Sequence, residues 1–138
     1  TKSVDIYSGV DLRFIQTLDT KGIDYGNLSK VSFTPDGRFI LAGGSAQKLI
    51  NNEGILIRRW DTSRFEYSDI PVAKDAIMGI IPLKSGGVVF ASQEPSFGLI
   101  DRQGSIYYTK KPDIADFRNN LQGFTLSHEG STVGFGYE

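Results

Sequence analysis

A glycine-containing turn recurs three times along this chain of 138 residues, and this repeat is the feature that most constrains the fold. The copies read Thr34-Pro35-Asp36-Gly37, Leu83-Lys84-Ser85-Gly86 and Ser127-His128-Glu129-Gly130. Each copy follows an apolar run and precedes a run of small and apolar residues, and the glycines are 49 and 44 residues apart. Internal repeats with a period of roughly 20–50 residues are typical of proteins built from similar supersecondary units. The sequence therefore predicts a repeat architecture.

A second glycine turn alternates with the first. Its copies contain Gly9, Gly54 and Gly104, which are 45 and 50 residues apart. Each copy follows a short apolar run and leads into an extended stretch. This is expected of a hairpin in which glycine supplies the positive φ that other residues resist. The alternation predicts that these three copies are equivalent turns of a second kind of hairpin.

Enrichment in β-branched and aromatic residues predicts about twelve short strands. They lie near residues 4–7, 12–18, 28–34, 39–43, 47–51, 55–60, 77–82, 88–92, 97–101, 105–109, 122–126 and 131–137. Helical periodicity is weak, and only Ile114–Leu121 is predicted to form a turn or two of helix.

Grouped by repeat, the predicted strands fall into sets of two, four, four and two. A four-stranded unit of about 45 residues has the size of a β-propeller blade. We therefore predict an all-β fold of antiparallel four-stranded propeller blades, with about three blades' worth of strands. The predicted division is a half blade at 1–27, blades at 28–75 and 76–120, and a second half blade at 121–138.

A β-sandwich is the alternative architecture, since it also has short strands and glycine turns. The strands beside the first kind of turn are continuously apolar, at Phe39–Ala42, Ile77–Ile81 and Val88–Ala91. A sandwich strand alternates because one of its faces meets water, whereas a sheet covered on both faces need not. Together with the similarity of the repeats, this pattern favours blades.

The segment from Val31 to Gly44 resembles the first hairpin of a WD-repeat or YVTN-type β-propeller blade. The resemblance implies a propeller fold and a role in binding proteins. No Gly-His pair precedes an inner strand, so the hydrogen-bond network typical of WD repeats is not predicted. Trp60-Asp61 resembles the dipeptide that names the family, but the predicted strands place it at the end of an outer strand. We interpret that dipeptide as a coincidence.

Three blades do not close a ring, since propellers typically have roughly 4–8 blades. An open arc exposes two large apolar faces, which soluble monomers rarely do. We expect the remaining blades to come from a longer chain or from a second copy, two copies giving six blades. Because the chain begins at Thr1 without methionine, we favour a piece of a longer chain.

Composition excludes several classes of function. The formal net charge is −1, with both signs scattered along the chain, so neither a nucleic acid nor a membrane surface is an expected partner. No apolar stretch approaches the roughly 20 residues of a membrane span. The chain has no cysteine and one histidine, His128, which we expect to be an exposed turn residue. We predict no catalytic residue, no metal site and no cofactor.

The predicted connectivity places candidate binding residues on one rim. In an antiparallel four-stranded blade, the first and third turns share a rim, and the second turn and the inter-blade connection share the other. The long connections Asp19–Asn27, Ser63–Asp75 and Lys110–Asn120 are predicted to lie on this second rim. They carry aromatic and arginine side chains, the types enriched at binding hot spots: Tyr25, Arg64, Phe65, Tyr67, Phe117 and Arg118.

These observations favour a non-catalytic propeller module that binds a protein or peptide partner through the long-loop rim. In one alternative, the aromatic residues only cap gaps between blades. In another, the chain is part of an enzyme or small-ligand-binding protein whose site lies at the central channel, as resemblance to lactonase-like and YVTN-type propellers implies. In a third, the arc is purely an assembly unit.

Overall fold

The computed structural model describes residues 2–49, 54–111 and 124–135. These residues form twelve strands and no helix; the predicted helical turn at Ile114–Leu121 lies outside them. The strands are β1 (Asp5–Tyr7), β2 (Phe14–Thr17), β3 (Lys30–Phe33), β4 (Phe39–Gln47), β5 (Ile55–Asp61), β6 (Tyr67–Ala73), β7 (Ile77–Pro82), β8 (Val88–Ser92), β9 (Ser96–Ile100), β10 (Ile106–Lys110), β11 (Phe124–Leu126) and β12 (Val133–Phe135).

The strands form four antiparallel sheets in chain order. β1 and β2 form the first, β3 to β6 the second, β7 to β10 the third, and β11 and β12 the fourth. Within each sheet, consecutive strands are neighbours, so each sheet is a simple meander. The predicted all-β class with four-stranded antiparallel units is confirmed.

The first kind of turn has the same geometry in all three copies. In each copy the glycine has a positive φ, 71° at Gly37, 95° at Gly86 and 76° at Gly130. Its N–H donates to the carbonyl oxygen three residues earlier, at 2.8, 2.9 and 2.9 Å respectively. The repeat in the sequence therefore corresponds to a repeated structural turn, which joins the first two strands of the second, third and fourth sheets.

The predicted strand at 39–43 lies within β4, but β4 continues to Gln47, so the separate strand predicted to begin there is wrong. Residues 50 and 51 of that predicted strand lie outside the described residues. The Gly43-Gly44 pair does not break the strand. The register with β5 shifts between Gly43 and Gln47, so the extra residues form a bulge, a common use of glycine in a strand.

The predicted connection Ser63–Asp75 is also wrong, because it contains β6. Pro71 argues against a strand, but β6 is an edge strand, where a missing N–H is tolerated. The turn at Gly54 consequently joins the second and third strands of its sheet and is not equivalent to the turn at Gly104. Trp60-Asp61 ends the third strand and not the outer one, so the reason for treating that dipeptide as a coincidence does not hold.

The hydrophobic core lies between the sheets in two clusters. One cluster packs β1–β2 against the second sheet around Leu18, Ile40 and Trp60. The other packs the second sheet against the third around Leu41 and Phe90. Each fully buried aliphatic or aromatic side chain stabilises the fold by roughly 1.5–3 kcal/mol. Because successive residues of β4 and β8 are buried, both faces of these strands are covered, which favours blades over a sandwich.

The sheet formed by β1 and β2 is the first in the series of four sheets, and its outer face is open to solvent. Tyr7 and Phe14 pack edge to face on the outer side of this sheet, with ring centroids 5.8 Å apart, and both are exposed. That further blades from a longer chain or a second copy cover such faces remains a prediction, which rests on the number of strands. In the part of the chain that the structure describes, no helix is long and apolar enough to span a membrane.

Candidate functional site

Successive connections lie alternately at the two ends of the strands and so define two rims. The turn rim consists of the hairpin turns at 8–13, 34–38, 62–66, 83–87, 101–105 and 127–132. The loop rim consists of the connections at 18–29, 74–76 and 93–95. It also includes the described parts of the β4–β5 connection (48–49 and 54) and of the β10–β11 connection (111).

The predicted site residues are divided between these rims. Tyr25 lies in the 18–29 connection on the loop rim, whereas Arg64 and Phe65 lie in the β5–β6 turn on the turn rim. The prediction of one shared rim is wrong for Arg64 and Phe65 because it omitted β6, and it is wrong for Tyr67, which begins β6 at its turn-rim end. Phe117 and Arg118 fall outside the described residues.

Phe65 and Tyr67 make structural contacts. Phe65 adopts a positive φ of 58° and packs against the core cluster around Trp60. The ring of Tyr67, the first residue of β6, lies against the guanidinium of Arg58, 3.8 Å from its carbon to the ring centroid. The contact of Phe65 agrees with the alternative in which such aromatic residues cap gaps between blades, whereas Tyr67 packs on a neighbouring strand of its own sheet.

Sequence reasoning missed Arg58, which anchors the 18–29 connection. Its side chain is fully buried in β5 and forms a bidentate ion pair with Asp69, with Nε–Oδ1 and Nη2–Oδ2 distances of 2.6 and 2.8 Å. Its Nη1 donates to the carbonyl oxygens of Asp19 and Lys21 at 3.3 and 2.8 Å. Trp60 Nε1 also donates to the Asp19 carbonyl, at 3.0 Å. The sequence signal that could have identified Arg58 is its position within the largely apolar run 55–60.

Asp69 is expected to make stability depend on pH. Burial opposes its ionisation, yet hydrogen bonds from Arg58 and Lys48 outweigh burial and lower the pKa of Asp69. A lowered pKa stabilises the fold above the usual aspartate pKa of about 3.9, and this contribution is lost as pH falls through the folded-state value.

We expect Asp69→Asn to flatten the fall in unfolding free energy between neutral and acid pH. Denaturant titrations of both proteins across that range measure the effect. Asp36→Asn is the control, because Asp36 is exposed and its lowered pKa comes from local turn bonds to Thr34 and the Arg38 backbone. Parallel curves for wild type and Asp69→Asn contradict the assignment.

The anchored connection presents an exposed aromatic side chain. Tyr25 exchanges backbone hydrogen bonds with Gln47, at 3.3 and 3.1 Å, and Asp24 Oδ2 accepts from the Leu49 N–H at 2.7 Å. The Asn27 N–H donates to Ser45 Oγ at 3.1 Å. The side chains of Tyr25 and Leu49 are nevertheless 56 and 63 % exposed. We call these two residues the Tyr25–Leu49 patch.

A cavity of about 330 Å³ opens on the loop rim near the starts of β3 and β7. Its lining consists of amide, hydroxyl, ammonium and apolar groups, and it comprises Asn27, Ser29, Lys30, Gly44, Ser45, Ala76, Ile77, Met78 and Gln93. Within the described ranges, no group of three His, Cys, Asp or Glu residues is placed to hold a metal ion. His128 lies exposed in the β11–β12 turn on the turn rim.

Comparison with known proteins finds similarity only at the level of structure. No protein-family model and no curated protein sequence matches the chain. A structure of U3-55K matches with a TM-score of 0.64 and 16 % identity, covering 80 % of this chain and 33 % of that one. A crystal structure of RRP9 WD40 repeats matches with a TM-score of 0.64 and 15 % identity, covering 80 % and 32 %.

The chain thus spans about a third of the length of these solved structures. At this identity the likeness concerns the fold. It agrees with the four-stranded antiparallel sheets, the core packed between them and the repeated turn. The chain has the fold of part of a WD-repeat β-propeller.

Proposed function

We propose that this chain is a non-catalytic propeller module that binds a protein or peptide partner through the loop rim, with the Tyr25–Leu49 patch at the contact. The single observation that carries the proposal is an exposed aromatic side chain on a connection whose backbone is fixed. Loops held on a rigid scaffold are where binding residues concentrate. Tyrosine is also among the residue types enriched at binding hot spots.

The anchoring matters for affinity. Ordering a loop on binding opposes association, so a loop that is already ordered leaves more of the contact energy for the partner. Arg58 and Trp60 hold one end of the connection, and the backbone pairing of Tyr25 with Gln47 holds the other. Neither set of bonds uses the Tyr25 or Leu49 side chain, which supports a role for both in recognition.

Selection of a random peptide library on the immobilised wild-type chain tests the proposal. We expect the selected peptides to lose at least about tenfold in affinity, or about 1.4 kcal/mol, when Tyr25→Ser and Leu49→Ser are combined. The matched control combines Tyr7→Ser and Phe14→Ser, which removes similarly exposed aromatic side chains from the open β1–β2 sheet.

Thermal unfolding of both double variants verifies that each is folded. Selected peptides that bind the Tyr25–Leu49 variant as well as the wild type contradict the proposal. Equal losses of affinity in both double variants contradict it too, because they show that exposed apolar side chains bind the peptides nonspecifically.

A further inference from the structure

Among the residues that the structure describes, the outer strand β10 is an exposed sheet edge. It is the last strand of the sheet ordered β10-β9-β8-β7, and all five of its residues are exposed. Its side chains include Ile106, Tyr107 and Tyr108. A bulge lies between Ile106 and Tyr108, and the register with β9 is regular from Tyr108 to Lys110. An edge strand presents unpaired backbone N–H and C=O groups, which can pair with another strand.

The outer strand of the other four-stranded sheet is also an edge, but it is less exposed than β10. β6 carries Pro71, which has no N–H to offer, and its Ile70 side chain is buried. Asp69 of the same strand is bound by Arg58 and Lys48. Proline on an edge strand is a common device against unwanted pairing. The two edges occupy equivalent places in their sheets, and within the described part of the chain β10 is the more exposed of the two.

A groove of about 410 Å³ lies between these two outer strands, where they meet the loop rim. One wall is formed by Pro71, Val72 and Ala73, and the other by the end of β10. The lining also contains Lys74, Glu94, Ser96, Thr109, Lys110 and Lys111. Three lysines thus face one carboxylate in a chain whose net charge is −1.

The three lysines form no ion pair with another residue that the structure describes. Among the residues that the structure describes, the ion pairs involve Arg13, Lys48, Arg58 and Arg64, and none involves Lys74, Lys110 or Lys111. Complementary charge across an interface raises the association rate and selects the partner. The charge of the groove therefore favours an acidic ligand over a neutral or basic one.

We propose that β10 and this groove form a second binding site, which takes an extended acidic peptide segment of a partner protein. The peptide adds a strand beside β10, with backbone hydrogen bonds to its free edge. Alternate side chains of the peptide contact Tyr108 and the apolar wall, and its carboxylates lie near Lys110 and Lys111. Strand addition of this kind takes affinity from main-chain bonds and specificity from alternate side chains. The site is separate from the Tyr25–Leu49 patch.

Fluorescence anisotropy with a labelled peptide of alternating glutamate and valine tests this site. We expect the peptide to bind the wild-type chain and a lysine–valine peptide of the same length not to bind. Two further glutamate–valine probes carry backbone N-methyl groups, one on the glutamates and one on the valines. Strand addition requires one of these sets of N–H groups, so one methylated probe loses binding and the other retains it. Equal binding of both methylated probes overturns the proposal.

Reversing the charge of two groove lysines provides a second test of the proposal. Combining Lys110→Glu with Lys111→Glu is expected to weaken binding of the glutamate–valine peptide at least about tenfold. The matched control combines Arg64→Glu with Lys84→Glu, exposed residues on the turn rim that change the net charge equally. Equal losses in both variants overturn the proposal, as does a wild-type dimer that dissociates when β10 is altered. Neither result bears on the Tyr25–Leu49 patch.

Discussion

Arg58→Ala is expected to destabilise the fold by about 3–5 kcal/mol, a large part of the stability of an ordinary domain. The substitution leaves Asp69, whose side chain is only 8 % exposed, with Lys48 as its remaining charged partner. It also removes the donor to the Asp19 and Lys21 carbonyls and the cation that lies against Tyr67. Denaturant unfolding monitored by circular dichroism measures the loss.

Arg59→Ala is the matched control on the same strand. Arg59 donates to the carbonyl oxygens of Arg102 and Gln103 at 3.1 Å, and these are exposed contacts. Its removal is expected to change the unfolding free energy by about 1 kcal/mol or less. A loss for Arg58→Ala no larger than for Arg59→Ala refutes the assignment of Arg58 as an anchor.

A double variant tests how much of the loss in Arg58→Ala comes from the unpaired charge of Asp69. If the loss in Arg58→Ala arises from an uncompensated buried carboxylate, then combining Arg58→Met with Asp69→Leu recovers part of it, because both charges are removed. Faster amide exchange at Tyr25 and Gln47 in Arg58→Ala, but not in Arg59→Ala, links the anchor to the loop rim.

Local signals in the sequence predicted the turns and most strands. The turns at Gly37, Gly86 and Gly130 each span four residues and need a positive φ at the glycine. The signal for each turn therefore lies in a short stretch of sequence. Apolar runs such as Val88–Ala91 mark strands covered on both faces. These features depend on neighbours in the chain, which is why the blade architecture could be predicted.

The errors arose where a local signal competed with tertiary context. β6 contains Asp69 and Pro71, which are uncommon in strands, although an edge position tolerates the proline and Arg58 neutralises the carboxylate. The glycine pair in β4 resembled a strand end, although it forms a bulge against which the 18–29 connection packs.

The candidate site could be predicted only by residue type. Tyr25 was selected because it is aromatic and lies on a long connection. The bonds that fix its backbone reach Gln47, and those that fix the start of the connection reach Arg58 and Trp60. These partners are more than twenty residues away in the chain, so no local pattern reports them.

Gly26→Ala is expected to destabilise the fold by about 3 kcal/mol or more. Gly26 has a φ of +83°, which in itself costs an alanine about 1–2 kcal/mol. In addition, a Cβ at this position overlaps the carbonyl oxygen of Ser45 and lies 2.9 Å from the nitrogen of Ala46. Both are backbone atoms, so no side-chain rotation relieves the clash, and the connection must move away from the β4 bulge.

Gly22→Ala isolates the backbone contribution. Gly22 lies in the same connection with a φ of +77°, and the nearest atom to an added Cβ is Lys48 Cε at 3.9 Å. We expect this variant to lose only the roughly 1–2 kcal/mol of the unfavourable φ. The difference between the two variants in denaturant unfolding measures how tightly the connection is held on β4. Equal losses contradict the close packing, and with it the fixed backbone on which the proposed role of Tyr25 depends.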